Sequence, residues 1–286
     1  MTLWETLVTQ NPMMIEITRF RRKYFSPRGG SMNSVILALF FVIYLGLVAM
    51  VWNFREEANP MIIVFLQTGI FTLLPPAMLH GSIAGERERR SWDFLLVAPV
   101  SHAQIVAGKF AGAVVALLIS AAFFLFPIAI GVLFYQPYYG SSPSSTTASR
   151  SLFSLLEGEL LSVTWGIFVC ALTIFFSARC RRGFIALGAA LGFLIGGLIV
   201  WPVLIGTAGG GGGYEIHLLN FFHPFWALAE MEFGRPTDAQ SSFSWMFGWP
   251  QIFVYIVLSA VMLGWAERTL RFADNEVKFL PKPKDA

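Results

Sequence analysis

Apolar residues fall into six long runs separated by short polar breaks, at about 33–52, 60–83, 101–135, 152–178, 184–207 and 245–265. Each approaches or exceeds the roughly 20 residues a helix needs to cross a bilayer. The runs are continuous, whereas a membrane β-barrel shows segments of about ten residues with alternating polarity. The pattern predicts an all-α polytopic membrane protein with six transmembrane helices. Pro75 and Pro76 near the end of the second run remove backbone hydrogen bonds and predict a kink. Ser101 and Gln104 open the third run as an S-x-x-Q capping box. That run is longer than a bilayer requires, so its helix tilts, breaks at Pro127, or protrudes with Lys109 snorkelling at its lower end. Gly188, Gly192 and Gly196 recur every four residues in the fifth run, a stripe that lets another helix approach closely. Its neighbour, in the same protomer or in a partner, stays open.

The polar segments divide the rest. Residues 1–32 carry Met13, Ile17, Phe20 and Tyr24 at spacings of four, three and four, surrounded by Arg19, Arg21, Arg22, Lys23 and Arg28. One apolar face in a basic setting predicts an amphipathic interfacial helix on the cytoplasmic leaflet, begun by Asn11-Pro12; a disordered basic tail is the alternative. Residues 33–268 form the transmembrane domain, with a polar outer loop at 136–150 and an outer hairpin at 209–244. The hairpin starts with five glycines, 209–213, and continues through an apolar stretch broken by His217, His223 and Pro224. It is too interrupted to span, and is read as re-entrant or interfacial. A charged cytoplasmic tail, 269–286, finishes the chain.

Composition agrees: 56% of residues are hydrophobic and 13% charged, against roughly 25% charged in soluble domains. With the N-terminus cytoplasmic, 17 of the 20 Lys and Arg fall on the cytoplasmic side, leaving only Arg55, Arg150 and Arg235 outside. The positive-inside rule selects that orientation, that of a multi-pass protein of a bacterial-type inner membrane. No cleavable signal is expected, since the first run is of full span length and ends in Trp52-Asn53-Phe54-Arg55. Cys170 and Cys180, about 15 Å apart if helical, are too distant for a disulfide.

The chemistry of a self-powered machine is absent. Every Asp, Glu, Lys and Arg maps to a loop or helix end, Glu157 and Glu159 included, whereas ion-coupled carriers need such groups near the midplane. The histidines converge on no metal or acid–base set, and no Gly-Lys-Ser/Thr follows the glycine run, so the chain holds no nucleotide loop and no cofactor. Nothing points to nucleic acid. Energy must come from a partner, and one segment suits docking. Residues 86–98 follow the second run with six charges in eight positions: Glu86, Arg87, Glu88, Arg89, Arg90 and Asp93. Glu86–Arg90 and Arg89–Asp93 stand at i,i+4 and would brace a short helix. Trp92, Leu95 and Leu96 give it an apolar face to seat in a groove. A merely solvated loop would need neither that face nor the following cap.

The pattern A-G-E-R-E-R-x-S-W-D-x-L-L-x-x-P-V-S over 84–101, with Q-I-V-x-G-K-F entering the next helix, resembles the permease subunits of ABC-2 type ATP-binding-cassette transporters. The N-terminal Asn11-Pro12…Glu16…Arg19…Arg22 is similar to the start of that family's interfacial helix. Ser91 and Trp92 stand where the family often has Thr and Leu. The resemblance implies a dimer of permeases, homo- or heteromeric. Each would engage an ATP-binding cassette ATPase, which binds the ATP and Mg, through a coupling helix at 86–97. It also implies alternating access with helices 2 and 5 near the path, where Pro75, Pro76 and the glycine stripe fit. The uncharged membrane interior favours export of an amphipathic or apolar substrate, lipid or drug-like. The alternatives are a non-transport anchor relaying ATPase motion to an outer partner, and a permease for copper-enzyme maturation.

Overall fold

The computed structural model describes residues 42, 44–53, 60–89, 92, 100–134, 145–208, 221–233 and 248–278. Met13, Ile17, Phe20 and Tyr24 of the expected interfacial helix lie outside these residues, as do the outermost parts of both outer segments and the end of the tail. Among the described residues every regular element is helical: α1 Tyr44–Asn53, α2 Met61–Leu79, α3 Ala84–Glu88, α4 His102–Phe134, α5 Ser145–Arg179, α6 Gly183–Ile195, α7 Trp201–Ala208, α8 Pro224–Phe233 and α9 Trp249–Lys278. Five stretches are long and apolar enough to cross a membrane: Met61–Glu88, His102–Leu133, Phe153–Arg179, Gly183–Leu204 and Trp249–Arg271. The first of the six expected runs is described continuously only from Tyr44.

α5 is the central mast. Its most apolar window is 72% buried, against 44% or less in the other four, because α2, α4, α6, α8 and α9 all pack on it. Three hydrogen bonds fasten α2 and the residue after it to α5. Gln67 Nε2 donates to Glu159 Oε1 (2.7 Å), Trp165 Nε1 to Thr72 Oγ1 (2.9 Å), and Ser177 Oγ to the His80 carbonyl (2.8 Å). The partner numbers rise together, so the two helices run parallel. α9 is parallel to α5 as well: Trp249 N donates to Glu157 Oε1, Tyr255 packs on Trp165 and Phe168, and Trp265 on Phe175. α4 runs the other way, setting Phe124 against Phe71 and Lys109 against Glu86. Small residues make the contacts close. A Cβ on Gly166 would lie 2.5 Å from Leu117 Cδ1 and 3.2 Å from Phe71, so only glycine lets α2 and α4 meet over α5 there.

The prolines do not interrupt their helices. α2 continues through Pro75 and Pro76, both buried, and Pro75 lines a small apolar cavity with Leu74, Met78, Ala113, Leu117 and Cys170. α4 continues through Pro127 instead of breaking. Proline offers no N–H to the carbonyl four residues back, and Tyr44 Oη donates to that carbonyl, Phe123 O, at 3.0 Å. The fifth run contains a feature the pattern did not signal: a π-helical turn, Gly196–Val200, between α6 and α7. It ends two residues before Pro202, which denies Leu198 O its α-register partner; the His223 ring bonds that carbonyl at 3.0 Å.

One boundary and two side chains also differ from expectation. α5 begins at Ser145, so 145–150 is helix where an outer loop was expected. Glu159, expected in an outer turn, is paired with the fully buried Gln67 of α2. Lys109, expected to snorkel, is buried in an ion pair. The glycine stripe faces away from the described helices. A Cβ on Gly188, Gly192 or Gly196 would meet nothing within 4 Å, while Gly183, Ala186, Ala190 and Leu194 form the buried face of α6.

Candidate functional site: the α2–α4 connection

The connection starts where α2 runs out. The His80 N–H bonds the Pro76 carbonyl at 3.3 Å, and the ring Nδ1 lies 2.9 Å from the same oxygen. Then Ser82 N–H bonds Leu79 O, and Gly85 N–H bonds Gly81 O, turning the chain into the five-residue α3. Ile83 and Ala84 are fully buried. Their N–H groups stand at the start of α3, where no intrahelical acceptor exists. A side chain from another helix supplies it: Ser177 Oγ, near the end of α5, accepts from Ile83 N (3.0 Å) and Ala84 N (3.1 Å) while donating to His80 O. One hydroxyl thus satisfies both turn donors and the last carbonyl of the preceding turn.

The charged residues that follow are also tied inward. Glu86 Oε1 meets Lys109 Nζ of α4 at 2.7 Å, with the lysine side chain 6% exposed. Arg87 Nη1 donates to Ala178 O at 2.6 Å, capping a carbonyl in the last turn of α5. Its guanidinium also stands 5.2 Å from the Trp92 ring centroid, within cation–π range. Glu88 Oε2 accepts from Gly183 N at 3.3 Å, the first amide of α6. Trp92 is 6% exposed and packs with Ile83, Ile105, Val106, Ile174, Ala178, Ala266 and Leu270, joining α4, α5 and α9 beneath the connection. Arg89 is exposed.

The sequence-selected residues therefore divide. Glu86, Arg87 and Trp92 turn into the chain; Arg89 turns out. Arg90, Asp93, Leu95 and Leu96 lie outside the described residues. One reading is corrected here and one is extended. Glu86 has a partner the sequence did not signal, Lys109, 23 residues on, because α4 passes antiparallel beside the connection; the expected Glu86–Arg90 pair involves a residue outside the described ones. Trp92 fills the protein's own core instead of offering its ring to a groove. Ser177 was missed altogether. Nothing in a lone serine within an apolar run marks it as the acceptor for a turn 93 residues earlier. Lys109 was visible as the one cation inside a long apolar run, but its partner was not.

The described part of the connection is thus a corner tied to α4, to the end of α5 and to the start of α6, with Trp92 in an apolar cluster that α9 shares. No curated protein matches the chain significantly. The model of the family described as ABC-2 family transporter protein matches residues 63–276, which include the connection and every described span. The chain is therefore a multi-pass membrane protein belonging to the ABC-2 transporter family.

Proposed function

We propose that this chain is the permease subunit of an ATP-driven exporter and that 84–98 is where a separate ATP-binding cassette ATPase engages it. The observation that carries this reading is the connection's attachment to α4, α5, α6 and α9, combined with an exposed Arg89. A loop with no mechanical task does not need Ser177, Lys109, Ala178 O and Gly183 N all holding it. Arg89, Arg90, Asp93, Leu95 and Leu96 form the contact face. Glu86, Arg87 and Trp92 transmit force instead of making contact. ATP and Mg belong to the partner, and this chain performs no hydrolysis. The outward glycine stripe, Gly188, Gly192 and Gly196, is offered to a second permease subunit, since no described helix of this chain packs on it. Lining near Pro75 is apolar, which suits a lipid or drug-like substrate.

Affinity purification of the full chain in detergent tests the reading. A stoichiometric ATPase should accompany it, and Arg89→Glu with Arg90→Glu should release that ATPase while leaving insertion and thermal stability intact. Full retention of the ATPase by the double variant, or an ATPase-free wild-type preparation, would overturn the assignment.

A further inference from the structure

The contact between Gln67 and Glu159 has an imbalance. Gln67 is fully buried on α2, in an otherwise uncharged helix. Its Nε2 donates to Glu159 Oε1 at 2.7 Å. Each residue then has one inaccessible oxygen without a partner among the described residues, Gln67 Oε1 and Glu159 Oε2. One turn along α5 on the same face, the buried Ser162 hydroxyl is unpartnered too. An ionised carboxylate has only acceptors. It can give nothing to Gln67 Oε1 and places a charge within an apolar span, at heavy cost; the single Ser162 O–H can serve only one of the two orphaned oxygens. A carboxylic acid has one O–H to give. It removes the charge and supplies the donor that Gln67 Oε1 lacks.

Among the described residues, the polar groups on the neighbouring helices are engaged elsewhere. α2 presents Thr68 and Thr72, whose hydroxyls donate to their own helix's carbonyls. α9 presents Gln251 and Tyr255, which donate to Phe221 O and Phe222 O. α8, packed on α5, contributes Leu228 beside Gly158 and carries Glu230 and Glu232, with His223 just before it bonded to Leu198 O and Trp226 N. On α5 itself, Glu157 is used by Trp249 N. The basic side chains described, from Arg87 to Arg271, cluster at the opposite end. Arg179 is 20 residues further along α5, about 30 Å.

We propose that Glu159 is a proton-binding site: it carries a proton at neutral pH and forms a neutral acid–amide pair with Gln67. The ligand is a single proton, and its binding favours the docked arrangement of α2 on α5. Separation of the two helices into water would release it. The reading of the membrane interior as free of ionisable chemistry is revised to that extent.

Infrared spectroscopy of the full chain in lipid nanodiscs at neutral pH tests this, with neither ATPase nor substrate needed. The wild-type minus Glu159→Gln difference should contain a protonated-carboxyl C=O band, and Gln67→Leu should shift that band without abolishing it. Glu159→Gln, which preserves a neutral group with a donor, should melt with the wild type, and Glu159→Ala should melt earlier. Loss of a carboxylate band in Glu159→Gln would overturn the proposal. If that variant fails to insert, absence of any protonated-carboxyl band from the wild-type spectrum would overturn it equally.

Discussion

Replacing Ser177 with alanine removes one oxygen and four hydrogen bonds. The hydroxyl accepts from Ile83 N and Ala84 N and donates to His80 O, at 3.0, 3.1 and 2.8 Å, and accepts a longer bond from Ser82 Oγ at 3.5 Å. Both donor residues are fully buried, so water cannot replace the acceptor without opening the turn. A buried donor left unmade costs about 1–3 kcal/mol. Two of them, with partial relaxation, put the loss at about 2–4 kcal/mol, and it falls on the connection alone. The measurable consequence is local opening. In the regime where cleavage samples a rapidly opening segment, 2 kcal/mol raises the open population by about thirtyfold. Trypsin should therefore cut the full chain in detergent after Arg87 or Arg89 at least tenfold faster in Ser177→Ala than in wild type. Ser177→Cys, a weak acceptor of similar size, should fall between. Equal cleavage rates for the alanine variant and the wild type would refute the claim that Ser177 holds the corner.

Other outcomes are expected. Lys109→Met strands the Glu86 carboxylate, and should cost about 1–3 kcal/mol; Lys109→Met with Glu86→Gln should cost less than the two single changes added, read as a double-mutant cycle of thermal unfolding. Trp226 N–H donates to His223 Nδ1 at 2.9 Å, so the ring proton sits on Nε2 facing Leu198 O. Burial pushes the imidazole below its ordinary value, against the pull of the Leu198 bond. Its contribution is therefore complete above the ordinary histidine value of about 6.5 and fades as pH falls through it. Melting temperature should drop between about pH 6.5 and 5 in wild type and stay flatter in His223→Gln. A maleimide should label Cys180 well before Cys170, which is 2% exposed. Burial also raises the Cys180 thiol, partly offset by Arg179, so its labelling at neutral pH should be slower than that of free cysteine.

The parts of the molecule set by local rules could be read in advance. The Ser101–Gln104 capping box is present, with Ser101 N bonded to Gln104 Oε1 at 2.9 Å and Gln104 N to Ser101 Oγ at 3.2 Å. The apolar runs became helices because a spanning segment must satisfy its own backbone. What resisted reading was pairing between helices. The tertiary fold sets Lys109 against Glu86, a contact 23 residues apart that no helical spacing announces. Trp92 looked like a docking group because a short charged segment conceals how much core lies beneath it. Glu159 sat close enough to a helix end to pass as solvated, and only the arrival of Gln67 from α2 shows otherwise. The glycine stripe was recognisable as a packing face, but only the fold shows that the described helices leave that face bare.

The parallel seam between α2 and α5 also carries a consequence for biogenesis. Gln67, Thr72 and the His80 carbonyl find their partners 92, 93 and 97 residues later. A ribosome making about 5–20 residues per second needs roughly 5–20 s to supply them. During that interval α2 enters the membrane with a primary amide and two threonines but no α5 to meet the amide. Its early residence there is provisional, and a chain that stalls after α4 exposes an unmatched polar seam. Quality control needs no sensor for function to recognise such a chain; an unclaimed Gln67 is signal enough.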